Sequence, residues 1–344
     1  MISIVVACRN EAGAIDTMLR SAIGQDFSGQ DWELLIADGD SADGTRALLG
    51  AWQAAYPQIR MLENPRRITS TGLNAAIRAA KGEIILRMDA HTEYASDYVR
   101  QCLAALESTG AWNVGGPART RFNSRLGRAI AAAFHSPFST GGSHFHDPTY
   151  EGFTDTVPYG CWRKQTLEQL GMFDEDLVRN QDDELNRRIT RAAGKIWQTP
   201  KIVSWYTPRQ SLRSLFRQYF QYGFWKVPVM RKDGLGSWRA VIPALFVLGN
   251  LIALFAVSVS WILGDHVRLF LSAWLFIVTS YAVLSTVFAL SAARKFGWAL
   301  LPLLLPVFAT YHCSYGAGLL VGAVYWTHQN TGELPGRMFT ELSR

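Results

Sequence analysis

The sequence predicts an α/β fold with a mostly parallel sheet, followed by a helical membrane region. Two observations lead to this prediction. In the first third of the chain, short apolar runs alternate with amphipathic helical segments, which is typical of right-handed βαβ units. Beyond Arg239 charged residues become scarce, and three long apolar segments follow. The chain therefore divides into a water-facing part and a lipid-facing part.

Apolar periodicity places the elements of the first part. Helices with one apolar face are predicted at residues 14–23, 48–55 and 71–80. Buried strands are predicted at residues 2–7, 32–37, 59–63 and 112–116, with a further strand that begins after Gly82 and runs into Asp89-Ala90-His91. The first strand leads directly into polar residues and lacks a preceding basic segment, so we expect a strand here and no signal peptide.

Composition excludes several classes of protein. The four cysteines are scattered without paired spacing, which argues against structural disulfides or a zinc site and favours a reducing compartment. The formal net charge is +6, with arginines grouped in residues 119–128 and 209–232. Such groups suit nucleic acid or an anionic membrane face. The neighbouring apolar runs favour the membrane, and we expect no nucleic-acid partner.

Three acidic residues follow strands of the predicted sheet. Glu11, Asp38 and Asp89 each lie where a strand ends, and ligands of parallel α/β sheets bind beyond the carboxyl ends of the strands. If the backbone stays extended after Asp89, its side chain and that of His91 point the same way. A carboxylate beside an imidazole suits a divalent cation, with Mn²⁺ favoured over Mg²⁺. The alternative is a solvated strand end.

Three segments together resemble the family 2 glycosyltransferases, which have the GT-A fold, a Rossmann-like α/β architecture. The segments are residues 4–11 (IVVACRNE), 37–45 (ADGDSADGT) and 88–91 (MDAH). The resemblance covers roughly residues 1–230, and its motifs are specific in combination although each alone is weak.

This resemblance implies roles for the residues at the strand ends. Asp38 would hydrogen-bond the base of a nucleotide-sugar, and Glu11 would lie near the base and ribose. Asp89 and His91 would hold the metal that bridges the donor diphosphate. The family usually has Asp-x-Asp at this position, and His91 departs from that pattern. A cation there would stabilise the negative charge that develops on the departing diphosphate.

A second polar stretch resembles the family's acceptor motif Glu-Asp-x-Asp-Leu. Gln181 replaces the first Glu, Asp182 would be the general base, and Glu184 stands where the second Asp would be. With Asp183 they form the candidate acceptor site, and the family likeness implies inversion at the anomeric carbon. A general base is needed because the acceptor hydroxyl must lose its proton. The alternative is the ordinary preference for acidic residues in a first helical turn.

Gly160 and Trp162 are candidate walls of a sugar pocket, because an aromatic ring can stack on a pyranose. A Trp162 that is simply part of the core is the alternative. The surrounding segment, residues 134–153, is rich in Gly, Ser and His. A mobile substrate loop is favoured there over a second metal site formed by His135, His144 and His146.

Residues 211–225 form a basic and aromatic amphipathic helix. We expect it at the membrane interface, with packing on the water-facing domain as the alternative. The sequence QYGFWK at residues 221–226 weakly resembles the Gln-x-x-Arg-Trp element of related polymerising enzymes. By that likeness Arg217 or Lys226 would contact the diphosphate.

The apolar segments at residues 241–263, 269–292 and 298–326 are each long enough to cross a hydrocarbon layer about 30 Å thick. Arg294 and Lys295 between the second and third segments place that loop, and the catalytic domain with it, in the cytoplasm. The third segment contains two prolines and several glycines, so a kink or re-entry is an alternative to a span. His312 within it would contact either a substrate head group or another helix.

The sequence thus predicts a GT-A domain (residues 1–208), an interfacial helix region (209–239) and about three transmembrane helices with a short tail (240–344). The predicted function is an inverting glycosyltransferase of the inner membrane. It would move a sugar from a nucleotide-sugar, favoured to be a UDP-sugar, to a polyprenyl-diphosphate-linked glycan of a cell-surface polysaccharide. The alternatives are a polyprenyl-phosphate sugar synthase and a non-catalytic scaffold. A processive synthase is disfavoured by the small number of spans.

Overall fold

The computed structural model describes residues 1–235, 237–327, 335 and 339. These form two compact units, residues 1–121 with 143–207, and residues 122–142 with the described residues from 208 onward. The prediction assigned residues 122–142 to the GT-A domain, whereas the structure groups them with the apolar helices. The predicted tail beyond residue 327 lies, except for Pro335 and Phe339, outside the described residues.

Strands and helices alternate through the first unit as predicted. The strands are β1 Ile2–Cys8, β2 Trp32–Asp38, β3 Ile59–Glu63, β4 Ile84–Arg87, β5 Thr92–Tyr94, β6 Asn113–Gly115, β7 Arg119–Thr120, β8 Gly152–Thr154, β9 Cys161–Arg163, β10 Ile196–Gln198 and β11 Ser204–Tyr206. The helices of the whole chain are α1 Ile15–Ile23, α2 Thr45–Ala55, α3 Thr69–Ala79, α4 Tyr98–Thr109, α5 Arg125–Phe134, α6 Pro137–Thr140, α7 Lys164–Gln169, α8 Gln181–Arg191, α9 Leu212–Asp233, α10 Ile242–Leu263, α11 Val267–Phe296 and α12 Leu301–Thr327.

Within the described residues, eight strands form one sheet in the order β3-β2-β1-β4-β9-β6-β10-β8. The pairings make β8 and β9 antiparallel to the other six strands, which all run the same way. A second sheet has the order β5-β11-β7. The mostly parallel α/β sheet predicted from the alternating pattern is confirmed.

Both faces of the large sheet are covered, as expected for parallel strands that carry crossover helices. Along β1, Ile4 and Val6 pack into one hydrophobic cluster and Val5 into the other, because side chains alternate between the faces of a strand. The predicted apolar face of α1 packs on the first cluster through Met18 and Leu19, both with no exposed surface. The carboxyl ends of β1, β2 and β4 remain available for a site.

The second unit is helical. Within the described residues, three apolar helices are long enough to cross a membrane: Trp238–Leu263, Val267–Phe296 and Trp298–Thr327. The third helix is continuous from Leu301 to Thr327 despite Pro306. The segment therefore does not turn back, which was the predicted alternative to a span. The segment expected as a substrate loop, residues 134–153, contains the short helix α6, a 3₁₀ turn at His144–His146 and the start of β8, with turns and irregular backbone between them.

Helix α9, predicted as an amphipathic helix at the membrane interface, packs along α12, and its place at an interface stays a prediction. Glycines permit the close approach. A side chain at Gly318 or Gly322 of α12 would meet the carbonyl oxygens of Phe220 or Phe224, and one at Gly223 would meet the backbone of α12. The structure therefore joins the predicted interfacial region to the apolar helices.

His312 makes an inter-helix hydrogen bond, which was one of its two predicted roles. Its Nδ1 lies 2.9 Å from the hydroxyl of Tyr281 on α11, and its Nε2 lies 2.8 Å from the carbonyl oxygen of Phe138 on α6. Both ring nitrogens are thus used within the second unit.

Candidate active site

Two loops meet at the carboxyl ends of β1 and β2. The amide of Glu11 donates to the hydroxyl of Thr45 over 2.7 Å, and the amide of Asn10 donates to the hydroxyl of Ser41 over 2.8 Å. Asn10 and Asp40 both have positive φ, at 56° and 58°. Of the two residues that follow Asp38, Asp40 is the one that takes the left-handed conformation. Gly39 is needed for close approach, since a Cβ there would lie 3.2 Å from that of Arg9.

Asp38 lies at the end of β2, where it was predicted, but its side chain is fully buried. Its carboxylate accepts hydrogen bonds from the Ser41 hydroxyl and, over 2.9 Å, from the Arg46 guanidinium. In this arrangement Asp38 holds the turn that follows β2 in place. Its contact with a nucleotide base stays a prediction, and it would require Arg46 or Ser41 to share the carboxylate with the base.

The backbone does not stay extended after Asp89. The prediction that the Asp89 and His91 side chains point the same way depended on an extended backbone. β4 ends at Arg87, and the chain turns through Ala90 and His91 before β5 begins. The Thr92 amide donates to the Asp89 carbonyl over 3.1 Å, which closes the turn. His91 is 41% exposed, and its Nδ1 lies 3.5 Å from Oε1 of Glu11. The turn thus brings His91 to the loop after β1.

Arg87 is the central residue of the site, and sequence reasoning missed it. Its side chain is 4% exposed. Nε and Nη2 donate to Oδ1 of Asp89 over 3.0 and 2.9 Å, and Nη1 forms an ion pair with Asp182. The guanidinium lies 5.9 Å from the ring centroid of Phe173. An arginine directly before an acidic motif was the available signal, but its partner Asp182 could not be read from the sequence.

Asp182 lies in the first turn of α8, which begins after Asn180 in a left-handed conformation (φ 63°). Its side chain is 35% exposed. The structure therefore brings the predicted general base and the predicted metal ligand Asp89 to one guanidinium. Gln181 precedes Asp182 and is half-buried, and Asp183 pairs with Arg187 one helical turn later. Their contacts with an acceptor stay predictions.

Charge and burial shift two pKa values in this site. Burial raises the pKa of Asp182 above its usual value; Arg87 opposes the rise and Asp89 adds to it. Burial by itself disfavours the charged form of Arg87. The two carboxylates outweigh that cost and raise the pKa of Arg87 further, so it stays charged. A charged Arg87 thus faces a carboxylate more basic than an ordinary aspartate.

Glu184 has a structural role, and its prediction as an acceptor contact is wrong. It is 4% exposed, and its carboxylate binds the guanidinium of Arg188 over 2.6 and 2.7 Å. Arg188 also donates to the carbonyl oxygens of Leu170 and, over 2.6 Å, Met172. The pair fixes the connection between α7 and α8 and thereby the position of Asp182.

Trp162 is a core residue, and its prediction as a sugar-pocket wall is wrong. It is 1% exposed and packs edge-on against Phe173, with ring centroids 6.1 Å apart. Phe173 in turn underlies Arg87. Gly160 has φ of 108°, and a Cβ there would collide with the Trp162 ring. Its carbonyl accepts from the Arg87 amide over 3.1 Å, so Gly160 lies beside the site without forming an aromatic wall.

The remaining predicted residues lie on other elements. Arg217 and Lys226 lie on α9 of the second unit, and their contact with a diphosphate stays a prediction. His144 stacks on Tyr150 with ring centroids 4.0 Å apart, and His146 lies against Phe145. Among the described residues, no three His, Cys, Asp or Glu side chains come together to form a metal site. A cation bound at Asp89 and His91 would need further ligands from water or a diphosphate.

Comparison with known proteins identifies the family. A family model for "Glycosyl transferase family 2" matches residues 3–162. Succinoglycan biosynthesis protein ExoA of Rhizobium meliloti (strain 1021) is 32% identical over 222 residues, which cover 64% of this chain and 67% of that protein. The chain belongs to glycosyltransferase family 2. It is therefore an enzyme, and the alternative of a non-catalytic scaffold is set aside.

Two further similarities cover nearly the whole glycosyltransferase. A dolichyl N-acetyl-alpha-D-glucosaminyl phosphate 3-beta-D-2,3-diacetamido-2,3-dideoxy-beta-D-glucuronosyltransferase of Methanococcus voltae is 27% identical over 94% of this chain and 97% of its own. The structure of mannosyltransferase PcManGT from Pyrobaculum calidifontis, in complex with GDP-Man and Mn²⁺, is similar over 95% of this chain and 88% of the mannosyltransferase chain. Its TM-score is 0.58 at 20% sequence identity. This last likeness shows the fold alone, which is GT-A-like.

Proposed function

We propose that this glycosyltransferase is membrane-anchored and inverting, and that it transfers a sugar from a nucleotide-sugar to a polyprenyl-diphosphate-linked glycan. A UDP-sugar is the favoured donor. One observation carries the proposal: Arg87 joins Asp89, at the end of β4, to Asp182, at the start of α8. A donor-side acid and an acceptor-side base are thereby held on one guanidinium.

On the donor side, Glu11 and Asp38 would bind the nucleoside and Asp89 and His91 the metal. The residues suit a divalent cation. Oδ1 of Asp89 accepts both hydrogen bonds from Arg87, and no described residue donates to Oδ2. The His91 ring is partly exposed beside Glu11. When bound, a divalent cation supplies charge neutralisation for the diphosphate leaving group. Mn²⁺ is favoured over Mg²⁺ because one of the two ligands is an imidazole.

On the acceptor side, Asp182 would take the proton of the attacking hydroxyl. That oxygen forms a bond to the anomeric carbon while the bond from this carbon to the diphosphate breaks, and the electron pair leaves with the nucleoside diphosphate. Attack from the opposite face inverts the configuration. A carboxylate whose pKa lies above its usual value is the stronger base for this step. Gln181 and Asp183 flank it and would orient the acceptor.

Arg87 acts as a positioning residue in this proposal. Buried and paired on both sides, it holds the two carboxylates at a fixed separation, where their mutual repulsion would otherwise drive them apart. Its own support comes from Phe173 and, beneath that ring, Trp162. Small displacements of a catalytic group lower the rate strongly. The packing of Phe173 and Trp162 against Arg87 would therefore help to keep Asp182 in position.

The apolar helices support a lipid-linked acceptor. Three of them are long and apolar enough to span a bilayer, and the M. voltae relative is named for a dolichyl-linked sugar phosphate. The R. meliloti relative is named for succinoglycan biosynthesis. We place the protein in the inner membrane with its catalytic unit on the cytoplasmic side, where Arg294 and Lys295 would also lie. By the likeness of residues 221–226 to the Gln-x-x-Arg-Trp element, Arg217 or Lys226 would contact the diphosphate.

The test uses the purified full chain in lipid nanodiscs with Mn²⁺ and a panel of nucleotide-sugars. Each donor is offered with either a polyprenyl-diphosphate-linked sugar or a polyprenyl phosphate. The expected result is transfer to the former, with an inverted anomeric configuration by NMR. Asp182→Asn should reduce the rate by about 10²- to 10⁴-fold.

Asp183→Asn is the matched control, because Asp183 neighbours Asp182 in the same helical turn and pairs with Arg187 instead of Arg87. It should raise the KM for the acceptor and keep most of kcat, because Asp183 would orient the acceptor without accepting its proton. Transfer to polyprenyl phosphate that is insensitive to Asp182→Asn would replace the proposal with a polyprenyl-phosphate sugar synthase, whose acceptor needs no carboxylate base.

A further inference from the structure

The second unit carries a strong excess of positive charge. Residues 122–142 and 208–327 contain twelve Lys and Arg but only two Asp and no Glu. Charge of one sign on a membrane-associated unit points to a partner of the opposite sign.

Four of them surround the turn between α11 and α12. Arg294 and Lys295 end α11, and the other two reach this turn from α5. Arg128 Nη2 donates to the carbonyl oxygen of Phe296 over 2.6 Å, and Arg125 Nη2 donates to that of Ala299 over 3.0 Å. We call Arg125, Arg128, Arg294 and Lys295 the basic patch. All four side chains are exposed.

No carboxylate among the described residues pairs with any member of the basic patch. The acceptors used by Arg125 and Arg128 are neutral backbone carbonyls, and in each case one nitrogen of the guanidinium makes the bond. The contact with Phe296 caps the end of α11 and favourably meets its dipole. Neither contact compensates the charge of the four exposed cations.

Exposed aromatic side chains border the basic patch. Trp298, in the turn itself, is 60% exposed, and Phe122, whose ring lies 5.8 Å from the Arg128 guanidinium, is 40% exposed. Aromatic rings beside cations at the end of apolar helices are typical of the headgroup region of a bilayer. A nucleic acid would not account for a patch that adjoins the ends of two candidate spans.

We propose that the basic patch is a binding surface for the phosphate headgroups of anionic phospholipids of the surrounding bilayer. Every residue of the patch belongs to the second unit and none has a predicted role in donor or acceptor binding, so we assign the bound lipid as a structural partner and not as the glycan acceptor. The inference extends the proposed function and does not depend on the donor or acceptor being correct.

The test is lipid retention by the full chain, measured by native mass spectrometry from nanodiscs with equal phosphatidylglycerol and phosphatidylcholine. The wild type should retain phosphatidylglycerol preferentially. Arg125→Gln with Arg128→Gln should lower this preference about tenfold, because each lost cation weakens binding near an anionic surface. Glutamine keeps an N–H donor and removes the charge. The Arg→Lys pair keeps the charge and should retain the preference.

Arg231→Gln with Arg268→Gln is the matched control. Arg231 also donates to a backbone carbonyl, that of Trp326, and neither residue is in the basic patch. This variant should behave as the wild type. If the Arg125/Arg128 variant does not fold, Arg294→Gln with Lys295→Gln replaces it, since these side chains make no hydrogen bond to described residues.

Equal retention of the two lipids by the wild type, or an unchanged preference in the Gln variants, would overturn the proposal. So would an equal loss in the Arg→Lys variant, which would assign the arginines a purely structural role. Displacement of phosphatidylglycerol by inorganic phosphate at the same concentration would show an unselective anion site.

Discussion

Arg87 and Asp182 form an ion pair between the end of β4 and the first turn of α8, although 95 positions separate them in the chain. The same guanidinium binds Asp89. Because Arg87 is buried and supported by Phe173, it cannot follow one carboxylate without leaving the other. The separation between Asp89 and Asp182 is therefore set by the length of one guanidinium and its two ion pairs.

Replacing Arg87 tests this arrangement. Arg87→Met should lower kcat by about 100-fold with a smaller change in the KM for the nucleotide-sugar, because the carboxylates lose their relative position. It should also destabilise the protein by about 2 kcal/mol, less than for a fully buried pair since both acids are partly exposed. Steady-state kinetics and thermal unfolding of the full chain measure both.

Arg87→Lys is the control that keeps the positive charge but lacks the planar guanidinium group. A lysine can pair with one carboxylate but cannot bridge both in bidentate fashion, so it should recover stability more fully than kcat. Equal recovery of both quantities would mean that Arg87 contributes charge alone and does not position Asp182.

The pH dependence of kcat reports on Asp182. The base must be ionised, so kcat should fall as the pH is lowered through the Asp182 pKa, which burial raises above the usual value of about 4. Arg87 opposes that rise. Removing its charge in Arg87→Met should therefore move the acidic limb of the profile to higher pH. A limb that moves to lower pH, or stays in place, would contradict the assignment of Asp182 as the base.

The metal preference should depend on His91. Asp89→Asn should reduce activity by about 100-fold, and added Mn²⁺ should not restore it. His91→Asp creates an all-oxygen pair and should shift the preference from Mn²⁺ toward Mg²⁺. The measurement is the initial rate as a function of each metal concentration. An unchanged ratio of the two metals in the His91→Asp variant would remove His91 from the metal site.

Local periodicity was sufficient to predict the sheet and its edge. The runs at β1, β2 and β3 match the predicted strands to within one residue, and Glu11, Asp38 and Asp89 follow strands as expected. These features depend on alternation and burial, which a short window of sequence carries. The position of a site at the carboxyl ends of strands follows from topology alone.

Long-range partners were not predictable, and each error at the site has that cause. Glu184 was assigned to the acceptor by likeness, whereas its carboxylate binds Arg188. Arg188 in turn donates to the connection between α7 and α8. Trp162 was assigned to a pocket, whereas its neighbour in space is Phe173. Residues 122–142 were predicted to belong to the GT-A domain. The alanine-rich face of α5 instead packs on Ala289 and Ala293 of α11.

Trp162→Phe should separate core packing from sugar binding. The smaller ring leaves space beside Phe173, so we expect a loss of about 1–3 kcal/mol in stability. The KM for the donor should stay within about twofold, since Trp162 is buried and has no ring face for a pyranose. Thermal unfolding and donor kinetics of the same preparation provide the comparison. A large rise in KM with unchanged stability would return Trp162 to the sugar pocket.

Gly318→Leu should test the packing of α9 along α12. A Cβ at Gly318 would overlap the carbonyl of Phe220, and α9 cannot retreat without losing the contacts that Gly322 and Gly223 permit. The expected loss is at least about 2 kcal/mol, seen as a lower unfolding temperature in detergent. Gly249→Leu on α10 is the matched control, since its nearest neighbour, the Ile277 side chain, is 4.0 Å away. Equal effects of the two substitutions would show that added volume in any apolar helix is the cause, and that α9 does not depend on close contact with α12.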